Sequence, residues 1–278
     1  YGDLENAKAA FETFVENVPF YGFSVMCIAH PEVQALIGKI IDRRIVSYGF
    51  SPPADVRGKN VMFSRGSAHF DVEISNRQDD SVIVFENITM PMPGRHNVLN
   101  ALAAIAVSHE LGISDDVIRR TFRNFSGVKR RFTLVDNVDG ITIVDDYAHH
   151  PVEIASVLSA AREASDGRVI AVMQPHRYTR LQSLFDDFCA CFNNADTVIV
   201  APVFEAGESP IEGADQEALF DGLLSVGHRD VLKIDDPEEL PKIISGMAKE
   251  DDLVIYLGAG SVSQWAYDLP DALRKERS

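Results

Sequence analysis

Apolar residues recur along this chain at two different periods, and the switches between them mark its elements. Over residues 4–17, Leu4, Ala7, Ala10, Phe11, Phe14 and Val15 fall at helical spacing, which predicts an amphipathic helix followed by Pro19. Buried strands are predicted at 23–29 and 45–50, with a short helix at 33–41 between them. Runs at 61–63, 68–74 and 82–88, joined by polar turns, read as antiparallel strands. Pro91-Met92-Pro93-Gly94 then breaks the pattern. A long Ala-rich helix follows over about 98–111, with Gly112 as its C-cap. Ser114 is placed to N-cap a helix that runs to about 125. The boundary between two domains, 1–126 and 127–278, is placed at Ser126-Gly127.

The second half alternates regularly. Strands are expected at 133–135, 141–144, 169–173, 197–200, 231–234 and 253–257. Helices fall between most of them, at 152–163, 179–192, 215–225, 237–248 and 261–275. Such alternation predicts βαβ units and an α/β, doubly wound, mostly parallel sheet. A hairpin around 137–140 would add an antiparallel edge. In such a sheet, ligands bind beyond the carboxyl ends of the strands.

Composition narrows the function classes. A chain of 278 residues, 46% of them hydrophobic, is long enough for about two cored domains. Its formal charge of −16 argues against a general nucleic-acid binder, and leaves room for an anionic small ligand only where local basic clusters offset the background. Three cysteines without metal spacing fit a reducing compartment. No apolar run is long enough to span a bilayer, and no signal-peptide pattern opens the chain, so a cytoplasmic location is expected. The chain opens on Tyr1-Gly2-Asp3 without an initiator Met, which suggests a piece of a longer protein.

Four stretches could carry chemistry. Asp145, Asp146, Tyr147, His149 and His150 crowd the end of the strand at 141–144, and Pro151 then suits a helix start. Metal, nucleotide or acid–base work would all fit, as would a helix cap in a solvated loop. Arg95-His96-Asn97-Val98-Leu99-Asn100 opens the Ala-rich helix. Asn97 and Asn100 are three apart, and two amides on one face can read the adenine edge, although Asn97 alone could be only an N-cap. Lys129-Arg130-Arg131 is a basic cluster in an acidic chain, suited to phosphate or carboxylate, or a solvated hinge. Gln174-Pro175-His176-Arg177-Tyr178-Thr179-Arg180 follows the strand at 169–173. If that segment is helical, Arg177 and Arg180 share a face, as do His176 and Arg180, at a helix end that already favours an anion. The crevice would hold both this run and Asp145–His150 if their strands are parallel neighbours. Gly258-Ala259-Gly260 lies between a strand and a helix, but Ser263 stands where a dinucleotide fingerprint has its third glycine; a tight turn is the plainer reading. Glu205-Ala206-Gly207-Glu208 is a specificity loop or simply a turn. His30, His69, His109 and His228 show no partners in sequence and are read as structural or surface.

Taken together, these motifs resemble the Mur ligase family, and its alanine-adding members in particular. The matching pieces are Pro19-Phe20-Tyr21-Gly22, Gly94-Arg95-His96-Asn97-Val98-Leu99-Asn100-Ala101, Gly127-Val128-Lys129-Arg130-Arg131-Phe132, Asp145-Asp146-Tyr147-Ala148-His149-His150-Pro151, Gln174-Pro175-His176-Arg177-Tyr178-Thr179-Arg180 and Leu257-Gly258-Ala259-Gly260. Ala148 departs from a glycine common in the family. The resemblance implies the second half of a mixed α/β, ATP-binding central domain at 1–126 and a Rossmann-like amino-acid-binding domain at 127–278. It implies an ATP-dependent ligase that joins L-alanine to UDP-N-acetylmuramate through an acyl phosphate, for peptidoglycan precursors. ATP and Mg²⁺ are the implied cofactors, with the metal ligands and the glycine-rich phosphate loop upstream of this chain. His96, Asn97, Asn100, Arg131 and Asp145 would contact the nucleotide. Tyr147, His149, His176, Arg177 and Arg180 would seat L-alanine, with His149, Arg177 and Arg180 in the catalytic constellation. Without the upstream loop, this chain alone is expected not to turn over. The alternative is a non-catalytic nucleotide-binding Rossmann-like module using the 258–260 turn.

Overall fold

The computed structural model describes residues 4–64, 66–76 and 80–277, which divide into two compact units between Phe125 and Ser126. In the first unit, helix α1 (Leu4–Glu16) leads to strand β1 (Ser24–Cys27), helix α2 (Pro31–Lys39) and strand β2 (Ile45–Gly49). Strands β3 (Val56–Ser64), β4 (Ser67–Asn76) and β5 (Ser81–Met90) follow, then helices α3 (Arg95–Glu110) and α4 (Asp115–Arg123). The five strands form one sheet in chain order. β1, β2 and β3 run parallel, and β3, β4 and β5 run antiparallel. Alternation along β4 puts Ala68, Phe70, Val72 and Ile74 into the core, where Val98, Leu102 and Ile105 of α3 meet them.

β3 is longer than the apolar run at 61–63 because its first half, Val56-Arg57-Gly58-Lys59-Asn60, has polar residues on its open face. Gly58 is there for closeness: a Cβ would stand 3.0 Å from the Phe50 ring and 3.1 Å from Leu102. The polar turn expected between β4 and β5 lies partly outside the described residues. Helix α3 starts at Arg95, three residues before the apolar period, because Gly94 adopts φ 96° and serves as N-cap. Asn97 is therefore inside the helix, not its cap. Ser114 does stand at the N-cap of α4, but its side chain makes no capping bond.

The second unit contains strands β6 (Thr133–Val138), β7 (Ile141–Asp146), β8 (Val169–Met173), β9 (Thr197–Val200), β10 (Val231–Lys233) and β11 (Leu253–Leu257). Its helices are α5 (Pro151–Ala164), α6 (Tyr178–Ser183), α7 (Phe185–Ala190), α8 (Gln216–Ser225), α9 (Leu240–Met247) and α10 (Val262–Glu276). The sheet order is β10-β9-β8-β11-β7-β6; every pairing is parallel except the β6–β7 edge, the expected hairpin. Helices cover both faces. Ile154, Leu158, Phe188, Leu219 and Leu223 from α5, α7 and α8 pack against Val144, Ala171, Val198 and Ile255. Leu240, Ile244, Val262, Ala266 and Leu273 from α9 and α10 pack against Ile143, Ile170, Val172 and Val254. A strand so enclosed reads as a continuous apolar run, which is why β8, β9 and β11 were legible.

Two expectations need correction. The helix foreseen at 179–192 is two helices, broken at Leu184 (φ −123°, ψ 25°); Asp186 and Asp187 then occupy the first turn of α7, where the helix dipole favours acid. The helix foreseen at 237–248 begins as a single 3-10 turn at Pro237–Glu239, capped reciprocally by Asp236 and Glu239.

Candidate active site

β7 and β8 are not neighbours, the condition under which a shared crevice was expected; β11 lies between them. Their carboxyl-end loops nevertheless meet, because β11 ends level with both, pairing Leu257 with Asp146 on one side and with Met173 on the other. The turn after β11 is tight. Gly258 donates its N–H to Asp146 O, and Gln174 donates to Leu257 O. Side chains of the two outer loops can therefore reach across it.

The β7 loop is built on two carboxylates. Asp146 is buried and accepts the N–H of Phe132 and of Ala148, each at 2.7 Å, so it ties the 127–132 turn to the strand end. Burial pushes its carboxyl up to about 6, against the pull of those two N–H groups and of the Arg131 charge. Asp145 is fully enclosed and takes the Ser263 hydroxyl of α10 at 2.7 Å; its other oxygen has no partner among protein groups. Burial raises its carboxyl too, with Ser263 and Arg130 opposing. Expected on a nucleotide, Asp145 lies beneath the rim, pointing at α10.

Arg130 reaches Gly258 O with Nη2 at 2.8 Å, and its guanidinium lies 4.5 Å from the Tyr147 ring centre. Arg131 stands farther from that ring, at 5.7 Å, with Glu153 4.0 Å from its Nη1. Of the basic cluster, Arg130 is thus the one built into the rim, a role the sequence did not single out. His149 donates from Nδ1 to Tyr147 O at 2.8 Å, which leaves Nε2 as the free nitrogen of the neutral ring. His150 caps α5: its Nδ1 accepts from Val152 N–H, while Glu153 accepts the backbone N–H of both His149 and His150. The bland reading of this stretch, a helix cap, is correct for His150.

The β8 loop supplies the other half. Gln174 is buried, donates to Ser261 Oγ at 3.1 Å and accepts from Val262 N–H at 3.1 Å. His176 lies 5.8 Å from His149, ring centre to ring centre. Arginine can only donate, so the 3.3 Å contact from Arg180 Nη1 makes His176 Nδ1 an acceptor. Burial, then the charge of Arg180 and the neighbouring His149 and Arg177, holds the His176 imidazolium below its ordinary range. Four rings, Tyr147, His149, His176 and Phe204, thus form a row across the loops after β7, β8 and β9.

Arg177 and Arg180 do not form the expected i, i+3 pair. Arg177 is the N-cap of α6 with φ 73°, outside helical geometry, and its Nη1 lies 3.7 Å from Glu208. Glu208 also takes Thr179 N–H at 3.0 Å and Thr179 Oγ1 at 2.7 Å, and those bonds hold its carboxyl below the usual range. The 205–208 segment is therefore more than a turn: it braces the β8 loop. Arg130, Phe132, Arg177 and Ala206 all carry positive φ without being glycine, a concentration of strain at one rim.

The 258–260 turn is crowded at its last glycine. A Cβ at Gly260 would stand 2.5 Å from Gln174 Oε1 and 2.6 Å from Phe204, so protein side chains already fill the space over it. In the first unit, Asn97 is buried and donates from Nδ2 to Pro93 O at 2.7 Å, whereas Asn100 is exposed and His96 half-buried. Only part of the Asn97 amide therefore remains for a ligand. His30 caps α2, and His69 lies between Ser64 and Thr89 hydroxyls, both structural. Among the described residues no cluster of three or more His, Cys, Asp or Glu could hold a metal ion, and no helix is long and apolar enough to cross a membrane.

Comparison with known proteins adds a second line. A model described as the Mur ligase middle domain matches residues 1–108, and one described as the Mur ligase, glutamate ligase domain matches residues 130–260. A UDP-N-acetylmuramate–L-alanine ligase of Bradyrhizobium sp. is 59% identical over 271 residues, covering 98% of this chain and 58% of the relative. One of Methylorubrum populi is 56% identical over 273 residues, with the same coverage. This chain therefore spans under two thirds of the length of these relatives. Among solved structures, a UDP-N-acetylmuramate-alanine ligase from Thermotoga maritima superposes with a TM-score of 0.75 at 24% identity, over 99% of this chain and 56% of that one. A MurF ligase from the same organism, in complex with ADP, also gives 0.75 at 18% identity, over 100% and 59%. At those identities, the structures bear on the fold alone.

Proposed function

The chain belongs to the Mur ligase family, and on that premise we propose that it is the amino-acid-receiving part, with some of the nucleotide-binding part, of an ATP-dependent ligase that joins L-alanine to UDP-N-acetylmuramate. The observation that carries this reading is the meeting of the β7 and β8 loops, which puts Tyr147, His149 and His176 in ring contact, with Arg180 on His176. A small zwitterion needs one cation for its carboxylate and acceptors for its amine. Arg180 supplies the cation, and Arg177 can join it by leaving Glu208. The free Nε2 of His149 is an acceptor at the same rim.

The chemistry asked of these residues is modest. A carboxylate is a poor acyl donor, so the ligase transfers the γ-phosphoryl group of ATP to the UDP-N-acetylmuramate carboxylate and releases ADP; the L-alanine ammonium loses a proton, the resulting amine attacks the acyl phosphate, and phosphate leaves as the nitrogen gives up its second proton. Positioning and charge stabilisation dominate such transfers. His96, Asn97 and Asn100 are proposed as the first unit's contacts to the nucleotide, while in the second unit Asp145 holds the rim from below. Among the described residues no group of three or more His, Cys, Asp or Glu could hold a metal ion, so these residues are given no part in binding Mg²⁺.

Calorimetric titration of L-alanine into this chain tests the reading. Saturable binding is expected, and Arg180→Gln should weaken it by about tenfold or more, the worth of one charge-assisted hydrogen bond. Equal heats for both proteins would remove Arg180 from the site. The chain alone should release no phosphate from ATP; release that depends on both L-alanine and UDP-N-acetylmuramate would contradict that part.

A further inference from the structure

Phe204 sits at the end of the ring row, and its surroundings are more constrained than a packing residue needs. Its N–H donates to Pro175 O at 2.8 Å, and its carbonyl accepts from Arg177 N–H at 2.9 Å, so the β9 loop is laced to the β8 loop on both sides of His176. The ring stacks on His176 at 5.4 Å with planes 16° apart. Behind it is Gly260, where even a single Cβ would approach its Cγ to 2.6 Å. Held between His176 and the β11–α10 turn, the ring is still 37% exposed. The closeness of Gly260 leaves the ring little room to move back, and part of the residue stays open to solvent.

We propose that Phe204 is a specificity-determining residue of the amino-acid site, closing its β9 side so that only an acceptor with a small side chain fits beside His176. This rests on the reading of the His149–His176 rim as the amino-acid site. The backbone bonds fix the Phe204 main chain, while the His176 stack on one side and the crowding at Gly260 on the other restrict how far the phenyl can turn aside for a bulkier ligand. A ring whose only task was to pack His176 would leave side-chain preference unchanged when shortened.

The test is an NMR titration of the whole 278-residue chain, following the His149 and His176 ring signals with L-alanine, L-valine and L-leucine, for the wild type, Phe204→Leu and Phe204→Ala. Wild type should respond to L-alanine and not to L-leucine. Phe204→Ala should lower the alanine-over-leucine preference at least tenfold, and Phe204→Leu should admit L-valine. If Phe204→Ala does not fold, as judged by its melting curve, Phe204→Leu carries the decision alone. A folded variant with wild-type preference overturns the proposal while leaving the site standing. A wild type whose ring signals ignore L-alanine overturns the site itself, and this inference with it.

Discussion

At the residue scale, two groups do work that their position in sequence does not announce. Asp146 reads in sequence as one of two carboxylates available for chemistry; in the fold it is the post that holds the 127–132 turn on β7. Its carboxyl is pushed up to about 6 by burial, so the folded state binds this proton more tightly than the unfolded state does. Stability from this group is then greatest below about pH 4 and falls as pH rises through 6, by up to roughly 3 kcal/mol. Urea unfolding at several pH values should show that fall, and Asp146→Asn should flatten it; an identical slope in the variant would contradict the account. His176 shifts the other way. Its ring proton should titrate below the usual imidazole range, and Arg180→Gln should move it back up, because one of the flanking charges is gone. An NMR pH titration of the ring signals gives both values, and a midpoint insensitive to Arg180 would refute the contact.

At the scale of elements, what was legible followed from burial. Strands enclosed on both faces, such as β8 and β11, are uninterrupted apolar runs, and the hairpin at β6–β7 announced itself through Asn137–Gly140. β3 was half missed because Arg57, Gly58 and Lys59 satisfy one face and a close helix, which no apolar count detects. The arrangement of Arg177 and Arg180 was misread for a related reason: helical spacing was assumed across a residue whose φ is 73°. The 205–208 loop stood out in sequence, but the contacts of Glu208 with Arg177 and Thr179 could be found only by asking what balances Arg177. Gly260 gives a direct test of the β11–α10 turn. Gly260→Ala forces a methyl group onto Gln174 and Phe204 and should cost about 1–3 kcal/mol in chemical unfolding. A neutral substitution would mean that the turn relaxes freely and that the crowding is not rigid.

At the scale of the whole molecule, three hydrophobic clusters give each of the two units a core of its own. One surrounds Phe70, Leu102 and Ile105; the others line the two faces of the second sheet. Ile105→Ala and Ile255→Ala should each remove about 2–5 kcal/mol from its own unit. Calorimetric scans should show the two substitutions lowering different transitions; a single transition shifted by both would show one cooperative block. The charge of −16 does not oppose an anionic ligand, since Arg130, Arg177 and Arg180 gather at one rim of the second unit. The sequence showed that these motifs belong at strand ends; it could not show that β11 would come between β7 and β8 and still let their loops meet, because strand order is set by crossovers and not by local pattern.

Intermolecular NOEs between the methyl of L-alanine and this chain would locate the bound amino acid. The expected result is NOEs to ring protons from both loops, His149 or Tyr147 on one side and His176 on the other. A methyl group that reports only on one loop, or on residues away from this rim, would contradict the shared site.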